Sequence, residues 1–115
     1  LQSEAIRKAA EESRCVFVGR CADYVLRDHK NIVTVFITAD LDDRIANVQR
    51  LNNCSPEEAR KIISNKEESR SSYYNYYTGK TWGSSASYDL CVNSSRLGLE
   101  GTKQFIADFI RKVQK

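Results

Sequence analysis

The sequence predicts an α/β fold, a parallel β-sheet with helices flanking it. Three short runs rich in β-branched and aromatic residues carry that expectation: "CVFVG" at 15–19, "IVTVFITA" at 32–39 and "YDLCVNSS" at 88–95. The first two are apolar almost throughout rather than alternating, as in strands covered on both faces. Stretches with a helical stripe separate the runs, and strands alternating with helices favour a layered, parallel arrangement.

Taken in order, residues 2–14 place Ala5, Ile6, Ala9 and Ala10 on one helical face with charges opposite. The run 15–19 follows as a buried strand closed by Gly19, and "ADYVLRD" at 22–28 has the length of two helical turns. The second strand is 32–39. Asp40 stands where it would cap a helix over "LDDRIANVQRLN". Ser55, Pro56 and Glu58 form the clearest helix start, a capping box with proline in the first turn. The third strand, 88–95, ends in small polar residues. Leu99, Phe105, Ile106, Phe109, Ile110 and Val113 mark an amphipathic helix over 99–113 that would cover the sheet. In such sheets ligands sit beyond the carboxyl ends of the strands, which directs attention to Arg20–Asp23, Asp40–Arg44 and Asn93–Ser95.

Composition bounds the function. A chain of 115 residues is one domain with a modest core. Its 41% hydrophobic and 29% charged residues are those of an ordinary soluble protein. The net charge of +3 admits an anionic ligand but does not argue for a nucleic-acid surface. Cys15, Cys21, Cys54 and Cys91 include no C-x-x-C pair, and the chain has one histidine, which speaks against zinc or any other metal site. Cys15 and Cys91 lie inside apolar runs and read as small core residues. His29 follows Asp28 in a turn and reads as a loop residue. No apolar run has transmembrane length and no signal peptide is visible, so a cytoplasmic location without a membrane partner is expected. The chain begins at Leu1 and contains no methionine, which raises the expectation of a piece of a longer product.

The segment "RSSYYNYYTGKTWG", Arg70 to Gly83, ends like a phosphate-binding loop at Gly79-Lys80-Thr81. The full pattern G-x-x-x-x-G-K-[ST] needs a glycine where Tyr74 stands, an apolar strand before it and a helix after it. A charged helix and a tyrosine run precede it, and Trp82-Gly83-Ser84-Ser85 follows, so the triplet is not read as a P-loop. Two accounts of the run remain. Tyrosines clustered with Lys66, Arg70 and Lys80 would line an anion pocket and stack on a base or sugar. Alternatively, the run is a half-buried loop packed on the sheet with its hydroxyls in water.

The strings "VFVGRCADYVLRDH", "FITADLDDRI", "SRSSYYNYYTGKTWG" and "YDLCVNSSRLGLEG", in this order, resemble the cytidylate kinase-like family of bacterial proteins, relatives of the nucleoside monophosphate kinases. The resemblance runs from about Gln2 to Ile110. It implies a P-loop kinase-like fold, here partial, with three strands and a helical lid: a core over 2–39, lid helices and the Tyr-rich loop over 40–83, and the last strand and helix over 88–115. It implies phosphoryl transfer from ATP, with Mg2+, to a nucleoside monophosphate such as CMP. A lid of this kind excludes water and brings positive charge to the phosphates.

Residue by residue, Gly19-Arg20 resembles the Gly-Arg after the third strand, whose arginine contacts the acceptor nucleotide. The aspartate that follows in the family is Cys21 here, and Asp23 is the nearest carboxylate. Arg44 matches the arginine that begins the lid helices near the donor nucleotide, and Arg50 is a further candidate of that kind. Lys66 and Arg70, four apart on one helix face, resemble lid cations that clamp phosphates and are the catalytic candidates; the alternative is a solvated face in which Glu67 and Glu68 partner them. Tyr73, Tyr74, Tyr76, Tyr77 and Trp82 replace an arginine-rich lid end, and Tyr73 and Tyr76 join the substrate-binding candidates. The expectation is that Arg20, Arg44 and Arg70 converge on one anionic guest.

The family's P-loop lies on its first strand, for which these residues have no counterpart. In the family's strand order, 2-3-1-4-5, that strand would sit between 15–19 and 32–39, leaving a gap of roughly 9.6 Å at about 4.8 Å per strand spacing. The expectations are therefore that the chain alone is inactive, and that either an N-terminal segment or a second copy pairs the open strand edges. A non-catalytic nucleotide- or anion-binding module, or an oligomerisation domain, is the alternative.

Overall fold

A computed structural model describes residues 2–12, 14–19 and 21–114. Two of the three β-branched runs pair. β1 (Val35–Thr38) lies parallel to β2 (Leu90–Asn93), with Val35 opposite Leu90 and Thr38 opposite Asn93. Four residues per strand make a marginal ladder, and polar side chains clasp it at both ends. Before the strands, Asp89 Oδ2 accepts from the Thr34 amide at 2.9 Å and the Thr34 hydroxyl at 3.2 Å, while the Asp89 amide donates to Thr34 Oγ1 at 2.8 Å. After them, the Ser94 hydroxyl donates to the Thr38 carbonyl at 3.1 Å and the Asn93 amide group to Asp40 Oδ1 at 3.0 Å.

The expected third strand is not in the sheet. Residues 14–18 carry no ladder pairing, and Val16 and Val18 are 92% and 88% exposed. A strand exists through its hydrogen-bonded neighbour, and among the described residues nothing offers this run an edge. Sheet architecture is thus mixed α/β with two parallel strands. Cys15 and Cys91, expected in the core, are exposed for the same reason: the faces on which they sit are uncovered. None of the four cysteines forms a disulfide among the described residues.

Helix α1 (Gln2–Glu12) buries Ile6 and packs on α2 (Ala22–Val25), one turn rather than the two expected. Helix α3 (Leu41–Asn52) begins after Asp40, but the Asp40 carboxylate gives no cap bond, since it accepts from Asn93 instead. Helix α4 (Pro56–Thr78) starts as the sequence predicts: Ser55 Oγ accepts from the Glu58 amide at 3.1 Å and Glu58 Oε1 accepts from the Ser55 amide at 3.3 Å. It does not stop before the tyrosines. With no glycine or proline between Pro56 and Gly79, the Ser/Tyr/Asn run costs only tenths of a kcal/mol per residue in helix propensity, and burial of Tyr74 outweighs that. Gly79, at φ 71°, ends the helix where a side chain would be strained. The Tyr-rich loop of the sequence reading is therefore helix to Thr78, and loop only from Gly79.

The best-packed core lies between α3 and α4, where Ile45, Ala59 and Ile63 are buried with Val48 and Cys54 against them. Helix α5 (Ser94–Val113) lies against both strands. It begins five residues earlier than expected, because Asn93 Oδ1 accepts from the Ser95 amide at 2.9 Å and caps it, and it breaks at Gly98 (φ 74°). Its covered face centres on buried Thr102, while Leu99 and Phe105 of the predicted stripe stay largely exposed.

Candidate functional site

The carboxyl ends of the strands, where a parallel sheet ordinarily receives its ligand, are occupied by the chain's own polar groups. The Asp40 amide donates to Ser95 Oγ at 2.8 Å, Asp40 accepts from Asn93, and Arg44 Nε donates to the Ala39 carbonyl at 3.0 Å. A second nitrogen of Arg44, Nη1, is hydrogen-bonded to Glu67 on α4, so this guanidinium joins α3 to α4. Arg50 is one helix face away, bonded to Asn47.

Lys66 and Arg70 both stand exposed on α4, and neither makes an ion pair or hydrogen bond among the described residues; the Glu67 partner foreseen for them is taken by Arg44. Arg70 shares a helical face with Ile63 and Tyr74, which are 9% and 7% exposed. The packed face of α4 thus has an open stretch with a free cation in it, beyond the reach of the shorter α3. Tyr73 and Tyr76 are exposed at 48% and 82%, and both rings contact Tyr77, at 4.5 and 5.1 Å between centroids. Arg20 lies outside the described residues.

Tyr74 is the tyrosine the structure buries. Its hydroxyl donates to Asp23 Oδ2 at 2.6 Å, across 51 residues of sequence. Its ring stacks on Tyr88, 6.1 Å away and 25° tilted, and Tyr88 in turn packs on Phe36 of β1 at 5.0 Å. Trp82 meets Phe36 edge-on at 5.1 Å. Burial first, then the hydrogen bond to Asp23 and the charge of that carboxylate, push the Tyr74 phenol above its ordinary range. Burial also raises Tyr88, against a lowering by the Gly83 amide that donates to it. Burial and then Asp23 raise the Cys21 thiol.

The phrase "NYYTGKTWG" folds as a helix stop docked on the sheet. Asn75 Oδ1 accepts from the Trp82 amide at 2.8 Å, and Thr78 Oγ1 donates to the Tyr74 carbonyl at 2.7 Å while accepting from the Lys80 amide at 3.0 Å. The amides around Gly79 are therefore committed to α4, with a helix before the triplet and a 3₁₀ turn at Ser85–Ser87 after it. This geometry confirms that Gly79-Lys80-Thr81 is no phosphate loop. Lys80 instead lines an open groove of about 300 Å³ with Asp23, Arg27, Thr34, Tyr88 and Asp89, before the strands rather than after them. A smaller hollow of about 210 Å³ lies between Lys30–Val33 and α5. Neither is lined by Arg44 or Arg70.

Tyr88 and Asn75 are the site's unforeseen members. The sequence reading passes over Tyr74 for Tyr73 and Tyr76, although the helical face that Tyr74 shares with Ile63, Glu67 and Arg70 could have marked it; nothing local marks Tyr88. Among the described residues no group of three or more His, Cys, Asp or Glu side chains is placed to hold a metal ion. The only Gly-Lys-Thr of the sequence is committed to a helix end.

A two-stranded parallel sheet joined to a long helical pair that carries exposed cations defines the class as a mixed α/β protein. The model of the cytidylate kinase-like family matches residues 1–96, and the chain belongs to that family. A crystal structure of an uncharacterized protein from Eubacterium ventriosum ATCC 27560 superposes with a TM-score of 0.92 at 29% identity, covering 96% of this chain and 70% of that one. No curated protein matches. No helix among the described residues is long and apolar enough to cross a membrane.

Proposed function

We propose that the chain serves in the ATP-dependent phosphorylation of a nucleoside monophosphate, CMP being the family's reference acceptor, and that its own residues supply the acceptor-side turn and the lid. Arg70 carries the reading: a cation on the packed face of α4, between buried Ile63 and Tyr74, yet exposed and unpaired. Leaving a cation there has no use in packing, while a phosphate entering beside α4 would find it free. Lys66, one turn earlier, adds a second charge on that flank. Arg44, held by Glu67, fixes the angle between the lid helices, and Arg20 and Asp23 belong to the acceptor-side turn.

ATP and Mg2+ supply the transferred phosphoryl group and neutralise its charge when bound. With Gly79-Lys80-Thr81 committed to a helix end, donor binding is assigned to residues other than those described. The 115-residue chain should then bind a nucleoside monophosphate without turning it over, whereas the natural full-length product should transfer phosphoryl from ATP.

Calorimetric titration of this chain with CMP, UMP, AMP and GMP, and a coupled assay of the full-length product with ATP and Mg2+, test the reading. Arg70→Ala should weaken binding about tenfold or more, the share of one charge-assisted hydrogen bond to phosphate, with the melting temperature unmoved. A full-length product that neither binds nor phosphorylates any of the four would overturn the proposal.

A further inference from the structure

The contact between Tyr74 and Asp23 joins two parts of the chain that are otherwise held separately. Asp23 lies in the single turn of α2, just after a strained backbone position: Cys21, which is not a glycine, has φ 54°. Left-handed backbone at a residue with a Cβ persists only where its surroundings hold it. Local bonds supply part of that hold, from the Ala22 amide to the Gly19 carbonyl at 3.3 Å and from the Tyr24 and Val25 amides to the Cys21 carbonyl at 3.0 Å each. α1 packs on α2 from one side. The Asp23 carboxylate supplies the link to the other side of the molecule, and it meets a hydroxyl whose own position is fixed by the Tyr88 ring and, through it, by Phe36 of β1.

We propose that Tyr74 is a positioning residue that acts through Asp23: its hydroxyl fixes the turn from Cys21 to Val25 against α4, so that the seating of the helix and the shaping of the turn are one event. A phenylalanine at 74 would fill the same space and stack on Tyr88 equally well. The hydroxyl therefore serves the turn, not the packing. The hydrogen bond is short and charge-assisted, one partner being a carboxylate, which puts it among the stronger side-chain contacts. Its consequence for ligand binding rests on the functional reading above, in which this turn faces the acceptor.

The test compares wild type, Tyr74→Phe and Asp23→Asn. Amide hydrogen exchange at Ala22, Tyr24, Val25 and Leu26 reports the turn, with the amides of Ala59 and Ile63 as an internal reference in the helical pair. Tyr74→Phe should accelerate exchange at the four turn amides about tenfold or more and leave the reference amides unchanged. Asp23→Asn, which keeps an acceptor oxygen but not the charge, should fall between the two. On the full-length product, at a temperature where all three proteins are fully folded, the dissociation constant for CMP should rise in the same order. Turn amides that exchange in Tyr74→Phe as in wild type overturn the proposal. Faster exchange with an unchanged CMP affinity, in a wild type that binds CMP, overturns the positioning role. A wild type that binds no nucleoside monophosphate overturns the functional reading instead, and the exchange result alone then decides whether Tyr74 holds the turn.

Discussion

The helical pair α3–α4, whose residues are largely charged and polar, and the run Cys15–Gly19, apolar throughout, meet fates opposite to what composition suggests. In the pair, Ile45, Ala59 and Ile63 are buried against one another, with Ala59 fully covered. In the run, Val16 and Val18 stand almost entirely in solvent. The difference is one of sequence distance. A helix satisfies its backbone within itself, and a neighbour joined by a short turn, here Asn53 to Ser55, meets it at small entropic cost. A strand satisfies nothing until a second strand arrives from elsewhere. The lesson is that the helical pair is the part of this molecule able to hold its own shape, and the sheet the part that depends on company.

The sharpest way to break that comparison is to cut the core of the pair. Ile45→Ala removes a buried side chain from between α3 and α4 and should cost about 2–4 kcal/mol, read as a lowered urea midpoint. A cost near zero would mean that the pair is held by something other than this contact.

The next effect is read with pH at the hinge of the comparison, where α4 leaves its self-sufficient half and docks on the sheet through Tyr74. Asp23 and Tyr88 face its phenol, and its pKa is raised from the ordinary 10.0 by burial and by Asp23. Above pH 10 the unfolded chain gives up this proton while the folded chain keeps it. The stability tied to it is thus intact below pH 10 and is lost as pH rises beyond, by up to about 1.4 kcal/mol per pH unit for one proton. Denaturant unfolding from pH 8 to pH 11 should show this decline in wild type and a shallower one in Tyr74→Phe. It should not vanish, because Tyr88 is shifted in the same direction. Equal slopes in the two proteins would place the titrating group elsewhere.

The same contrast explains what was legible in the sequence. The start of α4 was readable from Ser55, Pro56 and Glu58 because a capping box is a local device, spelled within four residues. The cores of β1 and β2 were readable from β-branched composition, and the common face of Lys66 and Arg70 from their spacing. The continuation of α4 through Ser71–Thr78 was not, since Ser, Tyr and Asn lean weakly against helix and the burial of Tyr74 that overrides them comes from Tyr88 and Asp23, far along the chain. Asp40 read as a cap for a similar reason: its carboxylate turns to Asn93, 53 residues on. Within the candidate site the cations were visible one by one, whereas the bond that joins Asp23 to Tyr74 is a property of the fold alone.

The smallest expected effect tests the weaker region. Val16→Ala trims a side chain that is 92% exposed and should change stability by less than about 0.5 kcal/mol, against several times that for Ile45→Ala. The measurement is best made at two protein concentrations tenfold or more apart. If the run stands free in solution, the small change is the same at both. If a second copy of the chain covers it, Val16→Ala should cost more than 1 kcal/mol, and the wild-type midpoint should rise with concentration, since association stabilises only the folded form. A large, concentration-independent cost would mean that the run packs inside its own chain, and the contrast between a self-sufficient helical pair and a dependent sheet would then be lost.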